Sequence, residues 1–82
     1  MEARMRVDRL ELPRPTLEPV EQRVLALLVS GFSNRQVAER LGIPVELARA
    51  HLYAIITKLG AGSKLEAIII AMRLGLVRPP SD

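Results

Sequence analysis

The stretch Ser33–Leu59, SNRQVAERLGIPVELARAHLYAIITKL, decides the fold. Ser33 is a good N-cap, and Gln36 three residues on completes an S-x-x-Q capping box that satisfies orphan amides of a first helical turn. Val37, Ala38 and Leu41 then share one face at helical spacing. Gly42 stands where a helix end needs a left-handed residue, and Pro44 suits the cap or first position of a following helix, where a missing N–H is harmless. Downstream, Ala48, Leu52, Ile55 and Leu59 recur at i, i+4, i+7 and i+11, which makes a buried stripe. A short helix over about 34–41, a glycine turn and a longer helix over about 44–59 form a helix-turn-helix plan.

Working outward, 82 residues suffice for one domain with a small core. With one Phe, one Tyr and no Trp, stacking of single-stranded bases on aromatic rings is not the main activity. No cysteine is present, which excludes disulfides, thiolate metal sites and thiol catalysis, and the single His51 makes a histidine metal site or triad implausible. His51 flanks the buried stripe and is read as fixing local structure. The net charge of +3 permits a nucleic-acid partner without demanding one. There is no signal-peptide pattern, and no apolar run approaches the ~20 residues that span a bilayer. These features predict a cytoplasmic protein without membrane contact, metal or cofactor. With no nucleophile–base pair and no phosphate-cradling glycine loop, an enzyme is not expected.

On the N-terminal side, Pro19 opens a first helix over about 19–30, with Glu18 and Glu21 at the positive end of its dipole and Gly31 as its stop. Val20, Val24, Leu27 and Leu28 form its apolar face, and Phe32 plugs the corner after it. Residues 1–16 carry four Arg and end in Pro-Arg-Pro. They read as a partly ordered arm, with contact to DNA backbone or a partner chain as its functional alternative. On the C-terminal side, Ser63 and Glu66 make a second capping box that opens a fourth helix to about Leu74, closed by Gly75. The expected architecture is all-α, a four-helix bundle containing the helix-turn-helix, with the domain over 17–78 and a tail over 79–82.

The fourth helix is apolar nearly all round. A helix of that kind is buried on more than one side. One side packs on the core, and the other is expected to meet a second copy through Ile68, Ile69 and Met72. The alternative is that the N-terminal arm folds back over it.

Leu17–Val77 resembles the LuxR/GerE-type DNA-binding domain of bacterial transcription regulators. The resemblance rests on LEPVEQRVLALLVSGFSN, RQVAERLGI, RAHLYAIITKLG and SKLEAIIIAMRLGLV in that order. It implies a four-helix bundle whose third helix enters the major groove and whose last helix forms a dimer. By position it implies that Ser33, Asn34 and Arg35 meet the phosphate backbone, where a helix N-terminus offers free N–H groups. It implies that Arg49, Ala50 and Tyr53 face the groove and that Lys58 contacts backbone. Arg49 suits a phosphate or guanine O6/N7, and Ala50 suits a thymine methyl. The chain departs from the family pattern at Pro44, Leu47 and Ala48, where Ser-x-x-Thr-Val is usual. It also carries Glu18 for a Thr cap and Arg23 for a Glu.

The resulting expectation is a sequence-specific double-stranded DNA-binding transcriptional regulator, acting as a homodimer on a pseudo-palindrome. RNA polymerase is a further candidate partner. The chain reads as a stand-alone regulator without receiver or ligand-sensing domain, with an excised domain of a longer regulator as the alternative. A competing reading is a protein-interaction module of the same fold that offers Leu47, Ala50 and Tyr53 to transcription machinery.

Overall fold

The computed structural model describes residues 15–78. Residues 1–14, which hold most of the expected arm and its possible contacts, and the tail over 79–82 lie outside the described residues. Four helices and no strand occur among those described: α1 (Pro19–Val29), α2 (Asn34–Leu41), α3 (Val45–Leu59) and α4 (Lys64–Arg73).

Each start has a local cause. Pro19 occupies the first turn of α1, and the Glu18 N–H donates to Glu21 Oε1 at 2.8 Å. At α2 the capping box forms as its sequence predicts. Ser33 Oγ accepts from the Gln36 N–H at 3.2 Å, and Gln36 Oε1 accepts from the Ser33 N–H at 2.9 Å. Pro44 is the N-cap of α3 rather than its first helical residue, and its carbonyl accepts from the amides of Leu47 and Ala48. The second capping box is only half formed, which corrects the sequence reading. Ser63 Oγ accepts from the Glu66 N–H at 3.1 Å, but the Glu66 carboxylate takes the Gly62 N–H at 2.6 Å instead of that of Ser63. Extended backbone at Ser63 (φ −164°) leaves the amide one residue earlier within the carboxylate's reach.

The turn between α2 and α3 depends on Gly42, whose φ of +68° lies in the left-handed region. Its N–H bonds to the Glu39 carbonyl and the Ile43 N–H to the Ala38 carbonyl, so the end of α2 is satisfied and the chain is redirected within three residues. The same pair of closing bonds ends the other three helices, which is why the connections are short enough to force neighbouring helices together.

The core gathers Leu17, Val24, Leu25 and Leu28 with Val37 and Ala38 of α2, Ala48, Leu52 and Ile55 of α3, and Ala71 of α4. Leu25 and Ile55 are fully enclosed at its centre. Leu25 is absent from the apolar face read for the first helix, because Val24, Leu25, Ala26, Leu27 and Leu28 are all apolar and the periodicity alone does not say which side of the helix turns inward. Leu59, at the end of the predicted stripe, is only half-buried at the core margin. The small Ala67 and Ala71, both fully buried, let α4 approach the bundle closely.

Candidate nucleic-acid interface

The geometry of the candidate interface follows from how α3 is buried. Ala48, Leu52 and Ile55 turn into the core, so the opposite side of α3 carries Glu46, Leu47, Arg49, Ala50, Tyr53 and Thr57 outward, all exposed. Tyr53 is 71% exposed and Leu47 42%. Residues 46, 49, 50, 53 and 57 recur at helical spacing and form one continuous ridge. Ala54, which follows Tyr53, is half-buried.

The N-terminus of α2 supplies a second element. The Ser33 hydroxyl is engaged as the cap, and the first two amides of the helix, those of Asn34 and Arg35, have no acceptor within the helix. Arg35 is exposed, whereas Asn34 is half-buried and its Oδ1 accepts from Lys64 Nζ at 3.2 Å. Lys64, the first residue of α4, is therefore drawn to the same end of the bundle as Ser33, Asn34 and Arg35. Sequence reasoning missed it because Lys64 and Asn34 lie thirty positions apart, and only the packing of α4 brings them together.

Lys58 has a different environment from the one its position suggests. Its Nζ donates to Glu21 Oε1 at 2.7 Å, bridging the C-terminal turn of α3 to the first turn of α1. The Lys58 side chain is 35% exposed and that of Glu21 only 5%. Burial works to raise the Glu21 pKa. The Lys58 hydrogen bond, the Glu18 amide and the charges of Lys58 and His51 outweigh it, so the carboxyl titrates below its ordinary value. His51 is half-buried on α3. Glu21 was legible only as a helix-dipole charge, and no sequence signal links it to a lysine 37 positions away.

The fourth helix presents a stripe that differs from the expected one. Ile68 packs against the core margin, while Leu65 and Ile69 are 67% and 37% exposed, with Met72 half-buried beside them. Leu65, Ile69 and Met72 lie at i, i+4 and i+7, so the outward apolar face runs through Leu65 and leaves Ile68 pointing toward the bundle. Among the described residues no group of His, Cys, Asp or Glu is arranged to hold a metal ion, and no helix is long and apolar enough to cross a membrane.

The chain is similar to known regulators. Residues 15–71 match the family described as bacterial regulatory proteins, luxR family. The oxygen regulatory protein NreC of Staphylococcus aureus is 35% identical over 65 residues, which is 79% of this chain and 30% of NreC. The chain therefore spans about a third of the length of that relative. Among solved structures, the transcription factor GerE superposes with a TM-score of 0.73 at 31% identity, covering 76% of this chain and 92% of GerE. The VqmA dimer of Vibrio cholerae, a LuxR-type receptor, superposes with a TM-score of 0.74 at 30% identity, covering 79% of this chain and 30% of VqmA. The match extends over the helix-turn-helix, its exposed ridge and most of α4. The chain belongs to the luxR family of bacterial regulatory proteins, as a helix-turn-helix DNA-binding domain of a transcription regulator.

Proposed function

We propose that this domain reads double-stranded DNA by sequence, with α3 in the major groove and the N-terminus of α2 on the flanking phosphate backbone. The observation that carries the reading is the outward ridge of Arg49, Ala50 and Tyr53 on a helix whose other side is locked in the core. In the groove, Arg49 pairs with guanine O6/N7 or with a phosphate, Ala50 meets a thymine methyl, and the Tyr53 hydroxyl bonds a phosphate or a base edge. At α2, the free amides and Arg35 hold phosphate oxygens. Because Asn34 Oδ1 is taken by Lys64, its amide NH2 is left as the donor for backbone contact. Lys58, tied to Glu21 but still partly exposed, adds positive potential at the end of α3 rather than a free side chain.

The domain acts as a homodimer on a pseudo-palindrome, with Leu65, Ile69 and Met72 of α4 against their copies and Ile68 supporting them from beneath. The exposed apolar face and the similarity to the dimeric VqmA support this arrangement. Two α3 helices related by a two-fold axis then enter successive major grooves, one helical turn apart. A regulator of this kind works in the cytoplasm.

The test is titration of duplex DNA with the chain and its Arg49→Ala variant at low and moderate salt. Affinity should fall steeply with salt, and Arg49→Ala should weaken binding by about 1–3 kcal/mol. Salt-insensitive binding, or no loss with Arg49→Ala, contradicts the reading. Retention of a stoichiometric protein partner without DNA would instead assign the Leu47–Tyr53 surface to protein contact.

A further inference from the structure

A second surface lies at the other end of α2. Between α1 and α2 an open groove of about 330 Å³ is floored by Ala26, Leu27 and Leu41 and flanked by Arg23 and Arg40. Arg40 is held in place, because its guanidinium stacks over the Phe32 ring at 4.3 Å. A stacked guanidinium keeps its N–H fork free for a planar acceptor. Neither arginine is in an ion pair among the described residues, where the ion pair formed is that of Glu21 with Lys58. Two cations therefore flank an apolar floor without an acid between them. Arg23 is also a position at which the chain carries a charge opposite to that of the family pattern described above.

We infer that this groove docks an acidic, apolar segment of a partner protein, with a leucine-like side chain on the Leu27–Leu41 floor and carboxylates on Arg23 and Arg40. Charge complementarity selects that occupant. Carboxylates match the guanidinium forks in two-bond geometry, and the apolar floor gains nothing from a bare phosphate. The open shape suits a segment lying along the two helices better than an enclosed small molecule. Arg40 and Leu41 lie at the C-terminal end of α2, about 10 Å along its axis from the end proposed to meet DNA. Both surfaces can then be occupied at once, so a bound domain can recruit an acidic partner without leaving its site. The inference does not depend on the DNA reading.

The experiment uses the full 82-residue chain, labelled with 15N, titrated with a pool of twelve-residue peptides composed of Asp, Glu, Leu and Phe. A matched pool with Lys in place of the acids is the control. Saturable shifts confined to Ala26, Leu27, Arg40 and Leu41, given by the acidic pool alone, are expected. Arg23→Gln with Arg40→Gln should weaken that binding at least tenfold while leaving affinity for duplex DNA within about threefold. Should the double variant melt early, Arg23→Gln alone, on the exposed face of α1, serves with an expected loss of threefold or more. The inference is overturned by equal response to the Lys pool, by shifts on α3 or α4 instead, or by binding that survives both substitutions. Displacement of the peptide by duplex DNA would assign the groove to phosphate, and failure of the acidic pool to bind unless residues 1–14 are deleted would assign it to the chain's own N-terminal segment; either result overturns it.

Discussion

Replacing Lys58 with methionine isolates the interaction that joins α3 to α1. The substitution keeps the length of the side chain and removes its charge, leaving the buried Glu21 carboxylate with the Glu18 amide as its remaining hydrogen-bond partner. A fully buried pair broken on one side costs about 3–5 kcal/mol, and an exposed pair about 0–1 kcal/mol. Here the acid is enclosed and a third of the lysine side chain meets solvent, so the expected loss at pH 7 is about 1–3 kcal/mol, or roughly 4–20 °C in Tm for a domain of this size. The pH dependence has a definite sign. In the native chain the Glu21 pKa is lowered, so its contribution is present above the unfolded carboxyl pKa and is lost as pH falls through the folded value. Without Lys58, two of the causes that lower the Glu21 pKa are gone while burial still raises it, so the carboxyl titrates above its native-chain value and protonation costs the variant less. The gap between the two proteins should therefore be widest near neutrality and narrow below about pH 4. Urea denaturation of both proteins at pH 7, 5 and 3 measures it, with Glu21→Gln and the double variant completing the cycle. A gap that is constant across pH, or a coupling below about 0.5 kcal/mol, would refute the reasoning.

Three further outcomes are expected. Gly42→Ala places a side chain at φ +68° with open space around it, so the loss is backbone strain of about 1–2 kcal/mol, read from chemical denaturation, without a change in the ridge. Ile69→Glu puts a charge in the middle of the outward stripe of α4 and should shift the chain to monomer in sedimentation equilibrium while its helix content holds; unchanged association would move the dimer contact elsewhere. Leu47→Thr removes an exposed apolar side chain and supplies a hydroxyl at the start of α3, which should tighten DNA binding by about 0.5–1.5 kcal/mol in a fluorescence-anisotropy titration.

The bundle was legible because its punctuation is local. Ser33 with Gln36, and Gly42, each fix a helix end through bonds spanning fewer than six residues, and the structure forms these ends where the sequence puts them. The outward ridge of α3 was legible for a related reason, since an amphipathic period names its exposed side once its buried side is known. What escaped were contacts between distant positions. Glu21 reaches Lys58 across 37 residues and Lys64 reaches Asn34 across 30, whereas the sequence pointed Lys58 toward DNA backbone and gave Lys64 no role. The fourth helix shows the same limit differently. Its unbroken apolar run announces two buried sides, but with Ile68, Ile69 and Ile70 adjacent, only the packing of Ala67 and Ala71 fixes the rotation that sends Leu65 and Ile69 outward.

Selection from a randomised duplex pool at two salt concentrations, followed by sequencing of the bound fraction, tests the proposed DNA reading most directly. The account predicts a two-fold-symmetric motif with half-sites one helical turn apart, retention that drops with salt, and a base preference that relaxes at one position of each half-site in Arg49→Ala. Retention without any motif, or a motif that Arg49→Ala, Ala50→Glu and Tyr53→Ala all leave unaltered, would contradict it.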